Sequence, residues 1–331
     1  MTVYEPESGW SIDNLRAEEN GARALNRFTE TFSDLDVQTY SADDSRESWR
    51  ERLRGTELVI LHEWNSSVLA RMLMELSDEL GYKLLFHDTH HRASSSPESF
   101  AKFRLKDFDG VLAFGKALEM VYRKRFGIRK VWTFHEAADT TTFHPLPEAS
   151  RDPVVVWIGN WGDGERSREI NDYLLEPAKQ LGPEFRTRVY GVRYPPDAIE
   201  ALGTHRVAYA GYLPNLDAPR VYAGARLTVH IPRQQYSQVM TGIPTIRVFE
   251  ALACGIPLVS APWSDAEQLF RKGDFAMAQS PIQMLQAMQR LLRDPVMAQE
   301  QAACGLETVL ARHTCNHRAE QLTQIYEELC A

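Results

Sequence analysis

Glu250 lies in Pro244-Thr-Ile-Arg-Val-Phe-Glu-Ala-Leu-Ala-Cys-Gly-Ile-Pro-Leu-Val-Ser260, inside an apolar helical run that stops at Gly255 and Pro257. A helix starting near Thr245 turns its free backbone N–H groups and the positive end of its dipole outward, a ready seat for a diphosphate. A carboxylate about one turn further on can accept hydrogen bonds from two vicinal hydroxyls, such as those of a ribose. Thr245, Ile246, Arg247 and Glu250 are therefore candidate nucleotide ligands. A lone glutamate among Leu and Ala is equally often a surface residue on a helix packed against a sheet.

Three other stretches carry reactive groups. Ile158-Gly-Asn-Trp-Gly-Asp-Gly-Glu-Arg166 reads as a strand, a glycine-rich turn and a helix start. Its glycines let backbone approach a phosphate, with Gly159 and Asn160 in the turn and Arg166 as the charge; Arg168 and Arg247 compete for that role. Gly211-Tyr-Leu-Pro214 is a turn, whose Tyr212 and Leu213 either meet a ligand or cover the core, and Arg233 follows a strand end. Leu84-Leu-Phe-His-Asp-Thr-His-His-Arg92 puts His87, Asp88, His90, His91 and Arg92 just beyond a buried strand. That cluster admits three readings: metal ligation without a recognised ligand spacing, a structural cluster, or a substrate-facing site. Asp34-Leu-Asp36 and Asp107-Phe-Asp109 match a D-x-D metal pattern on paper, yet neither follows a convincing buried strand in the second half, and both read as solvent-facing turns.

Short apolar runs alternate with amphipathic stretches along the chain. Leu58–Leu61, Lys83–Phe86, Val111–Phe114 and Val131–Phe134 read as strands, with a short first strand expected at Thr2–Glu5; helices are expected over 69–80 and 116–126. A segment holding three prolines, Phe143 to Pro153, interrupts the pattern as a linker. A second series follows: Val154–Ile158, a helix over 166–181, strands near Arg188–Gly191 and Val207–Ala210, then Leu227–Ile231 and Leu258–Ser260. Leu322, Ile325, Tyr326 and Leu329 share one face of a last helix. This order predicts an α/β chain of two doubly wound, Rossmann-like domains, residues 1–145 and 154–315, with a linker at 146–153 and a terminal helix at 316–331. Ligands of such sheets bind beyond the carboxyl ends of the strands, so two facing sheets create one cleft.

Composition sets the broad class. At 331 residues, 44% hydrophobic and 25% charged, the chain is an ordinary globular protein of two-domain size. No apolar run is long enough to span a bilayer and the start lacks a secretory signal, so a cytoplasmic location is expected. The formal charge of −8 argues against nucleic acid as a partner. Five of the eight residues Arg123–Lys130 are basic, a solvated helix end or a contact with an acidic acceptor or with anionic lipid at the inner membrane face. Cys254, Cys304, Cys315 and Cys330 have no metal-finger spacing and are expected to be reduced and mostly buried.

The Pro244–Ser260 segment resembles the donor signature of group-1 retaining glycosyltransferases, an E-x7-E motif followed by A-x-x-x-G-x-P-V-V. Glu250 takes the place of the second motif acid, the one that holds the ribose, while Gly242 stands where the first should be. Arg247–Gly255 is similar to the R-x-F-E-A-L-A-C-G pattern of the spore-maturation, CgeB-like branch. His135-Glu-Ala-Ala-Asp-Thr-Thr-Thr-Phe-His-Pro145 resembles the interdomain signature N-G-V-D-x-x-x-F-x-P at Asp139, Phe143 and Pro145, but not at its start. The resemblance implies a GT-B fold and metal-independent transfer of a sugar from a nucleotide-diphosphate sugar, with retention of configuration and no cofactor. It implies that Tyr212 and Leu213 meet the nucleobase through their backbone, that Gly159, Asn160 and Arg166 form the first donor loop, and that Arg233 lines the cleft. His87 and Asp88 become the catalytic pair, and His90, His91, Arg92 and Glu136 the acceptor side. The acceptor, whether glycan, lipid-linked or protein, stays open. A sugar-nucleotide epimerase and an inactive nucleotide-sugar-binding protein are the alternatives.

Overall fold

In the computed structural model the described residues are 1–146, 151–162, 164 and 166–331. Residues 147–150 of the expected linker, and Asp163 and Glu165 of the glycine-rich turn, lie outside them. The chain forms two compact units, Met1–Glu57 with Glu75–Tyr82, and Leu58–Met74 with Lys83–Ala331.

The first unit holds a parallel pair, β1 (Thr2–Pro6) and β2 (Asp36–Tyr40). Trp49 is buried there between the rings of Tyr4 and Tyr40, at 5.3 and 5.2 Å. Asp36 belongs to a strand rather than a turn and accepts a hydrogen bond from the Thr2 hydroxyl.

The second unit carries two parallel sheets. β3 (Leu58–His62), β4 (Lys83–Asp88), β5 (Gly110–Ala113) and β6 (Val131–Thr133) pair in chain order. β4 and β5 are near-continuous apolar runs because both faces are covered, as parallel strands require. Asp109 is a structural residue here: its carboxylate accepts the Leu84 N–H at 2.8 Å. The basic run after β5 is also partly committed to the fold. Arg123 pairs with Glu119 and donates to the carbonyls of Arg129 and Val131, and Arg125 donates to Ser94 O.

The second sheet contains β7 (Asp152–Ile158), β8 (Arg186–Tyr190), β9 (Val207–Tyr209), β10 (Ala225–His230), β11 (Leu258–Ser260) and β12 (Ala276–Met277). Their spatial order, β9-β8-β7-β10-β11-β12, is doubly wound, with the direction of winding reversing between β7 and β10. One core cluster includes Val156, Phe249 and Leu252; another includes Val155, Leu174 and Leu227. The alternation of Val154, Val155 and Val156 between clusters is the period of two of a strand buried on both sides.

The helix expected over 166–181 is interrupted. Ser167–Ile170 and Glu176–Gln180 are α-helical, but Asn171–Leu175 forms a π turn that the 3.6-residue pattern does not reveal. Among the cysteines only Cys254 is buried. Cys304, Cys315 and Cys330 are free but exposed, which corrects the expectation of mostly buried thiols; their helices turn those positions outward.

Candidate functional site

Ligands of doubly wound sheets bind beyond the carboxyl ends of the strands where the winding reverses, here between β7 and β10, and Arg166 lies at that place. Its guanidinium donates to Asn160 O at 2.7 Å and to Ile231 O at 3.3 Å, and lies 5.3 Å from the Trp157 ring centroid. Asn160 in turn accepts Val192 N–H through Oδ1, and Gly159 accepts the Tyr194 hydroxyl. Gly162 and Gly164 both have φ near +80°, a conformation that glycine takes without strain. Arg166 thus pins the glycine-rich turn to the end of β10, whereas Arg168 points to solvent.

The helix Ile246–Ala253 follows, with Thr245 as its N-cap but without a side-chain cap from Thr245. Its apolar side, Val248, Phe249 and Leu252, is fully buried, and this packing fixes Glu250 in place. Glu250 is 4% exposed and bonds Arg247 Nη1 at 2.5 Å; that same nitrogen reaches Asn215 Oδ1 at 3.0 Å. Burial pushes the Glu250 carboxyl up, and Arg247 and Asn215 pull it back. Tyr212 and Leu213 sit half-buried in the loop before Asn215, with Leu213 packed on the core cluster that contains Phe249. Gly242, at φ +97°, is buried beside Glu267.

Glu136 is placed on this side too. Burial, followed by the nearby Glu250, raises its carboxyl to about 8 against the pull of Arg247. Glu136 thus lies near the carboxyl of Glu250 and the charge of Arg247.

The remaining polar cluster is built on the ends of β3 and β4. The Asp88 side chain points inward, accepting the Tyr122 hydroxyl at 2.6 Å and His90 N–H at 2.9 Å, and burial raises it to about 6. The His87 ring stands edge-on to His62 at 5.3 Å and to Phe134 at 5.7 Å, while its carbonyl accepts the Glu63 N–H. His90 sits over His91, with ring centroids 4.1 Å apart, and His91 also bonds Ser95. Arg92 forms an ion pair with the buried Glu63 carboxylate and lies 3.8 Å over the Trp64 ring. Burial, first in each case, lowers His62 to about 4 and both His87 and His90 to about 3. At neutral pH these are uncharged imidazoles, able to donate and accept hydrogen bonds but carrying no positive charge. Burial, reinforced by Asp88, raises Glu63 to about 7.

Glu63 and Trp64 come just after the half-buried β3, while His87 and Asp88 form the end of β4. Glu267 gave no sequence signal. It accepts Lys116 N–H at 2.7 Å and contacts His135 Nε2 at 2.9 Å.

The two clusters meet through the segment after β10. Arg233 begins it and its charge helps keep His90 neutral. Tyr236 packs against His91 at 5.7 Å and Phe114 at 5.6 Å, and a Cβ on Gly115 would come within 2.4 Å of Ile243. Among the described residues no three His, Cys, Asp or Glu side chains are grouped to hold a metal ion, and no helix is long and apolar enough to cross a membrane.

Residues 166–324 match the model of a family described as glycosyl transferase-like. No curated protein matches the chain in sequence. HepE of Anabaena, solved with UDP and glucose, is similar in structure at a TM-score of 0.72 and 13% identity, over 99% of this chain and 100% of that one. Sucrose-phosphate synthase of Thermosynechococcus elongatus is similar at 0.65 and 16% identity, over 99% and 95%. The lipopolysaccharide outer core galactosyltransferase WaaB is similar at 0.57 and 12% identity, over 99% of each chain. The chain therefore has the GT-B fold of these glycosyltransferases, and its residues 166–324 are similar to the glycosyl transferase-like family.

Proposed function

We propose that the protein is a glycosyltransferase that takes a nucleoside-diphosphate sugar as donor and works with retention of configuration and without a metal ion. The observation that carries this reading is the buried Glu250 carboxyl, one turn into Ile246–Ala253 and held by Arg247 and Asn215. A carboxylate so placed accepts both ribose hydroxyls while the helix start faces the diphosphate. The match over 166–324 and the UDP and UDP-glucose complexes of HepE support the donor class.

In this mechanism the backbone of Tyr212 and Leu213 flanks the base. Arg247 and the helix start stabilise charge on the departing diphosphate. Arg166, with Gly159 and Asn160, holds the first donor loop against the end of β10 and adds positive potential. The neutral His87 offers the sugar a hydrogen-bonding ring, while Asp88 acts through the loop it orders. His90, His91 and Arg92 face the acceptor. Solvent-excluding contact at Tyr236 and Ile243 limits donor hydrolysis.

The test is a thermal-shift screen against nucleoside diphosphates and their sugar conjugates in EDTA, comparing wild type with Glu250→Ala. Saturation at about 100 times Kd adds roughly 2.7 kcal/mol, so Tm should rise by a few degrees with one nucleotide, and Glu250→Ala should abolish the rise. A folded wild type that responds to no nucleotide defeats the reading. Isomerisation of a bound sugar nucleotide without acceptor would replace transfer with epimerisation.

A further inference from the structure

The basic run Arg123–Lys130 has a second basic segment folded against it. Lys102, Arg104 and Lys106 belong to the short helical turns Pro97–Phe103 and Leu105–Asp107 and the residue joining them, just before β5. The run itself ends the helix Lys116–Arg125 and leads into β6. Phe126 packs on Phe100 with ring centroids 6.4 Å apart, and Lys106 Cε lies 3.9 Å from where a Cβ on Gly127 would stand. An open cavity of about 330 Å³ separates the two segments, floored by Phe100, Leu105, Phe126 and Ile128 and rimmed by Arg104 and Lys106. Arg123 and Arg125 are engaged by the fold, and Asp107, the carboxylate in the cavity lining, is paired with Arg104 at 2.5 Å. Lys102, Lys106, Lys124, Arg129 and Lys130 are different: all are exposed, and none has an ion pair or side-chain hydrogen bond among the described residues. Uncompensated cations are thus gathered round an apolar floor in a chain whose formal charge is −8.

We propose that this face docks on the surface of an anionic lipid bilayer, with headgroup phosphates held by the surrounding lysines and arginines and the glycerol region of a lipid over the apolar floor. A bilayer surface offers anionic and apolar groups within a few ångströms of each other, and this face matches both. A soluble polyanion would use the cations alone and leave the floor uncovered. Long Lys and Arg stems lie along apolar surface while their charged ends reach outward, which suits such a boundary. Each cation near an anionic leaflet adds to the attraction, and salt screens it. No helix among the described residues can cross a membrane, so the attachment is peripheral. Both segments stand at the amino ends of β5 and β6. His87 and Asp88 end β4, which runs parallel to them, so docking leaves the polar cluster at the opposite edge of the sheet uncovered. The inference is independent of the donor-site reading above.

The experiment is co-sedimentation of the full chain with vesicles of mixed phosphatidylglycerol and phosphatidylcholine, against vesicles of phosphatidylcholine alone. It is run at about 0.1 M and about 1 M salt, between which the screening length falls from about 10 to about 3 Å. Wild type should bind the anionic vesicles at the lower salt at least about tenfold more tightly than the neutral ones, and lose most of that preference at the higher salt. Lys106→Gln, Lys124→Gln and Lys130→Gln together should weaken the binding at least about tenfold. Lys179→Gln, Lys272→Gln and Arg290→Gln together remove the same charge from exposed positions beyond β7 and should bind as wild type does. Both variants should keep the wild-type urea midpoint, which separates loss of docking from loss of fold. A wild type that ignores the anionic vesicles overturns the inference, as does a Lys106, Lys124 and Lys130 variant that binds them undiminished or a control variant weakened as much. Wild type retained by an acidic polysaccharide but not by the vesicles also overturns it, and gives the face to a soluble polyanion.

Discussion

His230 ends β10 with Nδ1 bonded to the Ser260 hydroxyl at 2.8 Å, the Trp263 ring edge-on, and Nε2 without a hydrogen-bond partner among the described residues. Burial, aided by the Arg166 charge, lowers it to about 3, whereas a histidine of the unfolded chain takes its proton near pH 6.5. Between those values the unfolded state binds the additional proton. The contribution of His230 to stability is therefore complete above about pH 6.5 and is lost as pH falls, by up to about 1.4 kcal/mol per unit. The raised carboxyls run the other way: Glu63 and Asp88 hold protons to about 7 and 6, and what they contribute at low pH is lost as pH rises through those values. A single variant separates the trends. His230→Asn should cost about 1–3 kcal/mol at pH 7 if its amide meets Ser260 imperfectly. It should then lose less stability than wild type between pH 6.5 and 4.5, read as urea midpoints against pH. Parallel curves would mean that the imidazole is protonated in place.

The helix Ile246–Ala253 was legible because all its determinants are local: an apolar face at Val248, Phe249 and Leu252, a polar Glu250, and Gly255 to stop it. What holds it from behind was not. Gly305, in the helix Pro295–Arg312, lies so close that a Cβ there would meet Leu252 Cδ2 at 2.6 Å and Asp274 O at 2.8 Å. The second contact is backbone and has little room to give. Gly305→Ala gains about 1 kcal/mol of helix propensity but overpacks the junction at about 1–3 kcal/mol, a net loss of up to about 2 kcal/mol. Because Leu252 and Glu250 share a helix, nucleotide affinity should fall together with the urea midpoint; a stabilised variant with unchanged affinity would contradict the account. The same division between local and distant determinants runs through the site. His87 and Asp88 are legible because they follow an apolar run directly, and Glu63 after Leu58–Leu61 obeys the same rule. The contacts of Glu267 with Lys116 and His135 join segments remote in sequence, and spacing carries no trace of them.

At the scale of the whole molecule, the last helix completes a sheet built from residues near the start of the second unit. Cys315–Cys330 begins at a capping box between Thr314 and His317, anchored by the bridge from Ala138 to Thr314. Gln321 then donates to Thr133 O at 2.8 Å, Trp132 donates to Glu328 at 3.0 Å, and Ile325 and Leu329 enter one core cluster with Leu85 and Leu112. The amphipathic face of this helix was evident in the sequence, but its partner was not, because one apolar stripe fits any apolar surface. That cluster is separate from the two that hold the second sheet, so a cavity in it should be felt locally first. Ile325 is 2% exposed, and Ile325→Ala should cost about 2–5 kcal/mol. Hydrogen exchange should quicken at the amides of β4 and β5 while β7 and β10 keep wild-type protection, and nucleotide affinity should hold because Glu250, Arg247 and Arg166 belong to the second sheet and its helices. Uniform acceleration in both sheets would instead mean that the second unit opens as one cooperative body, with the two sheets sharing a single stability.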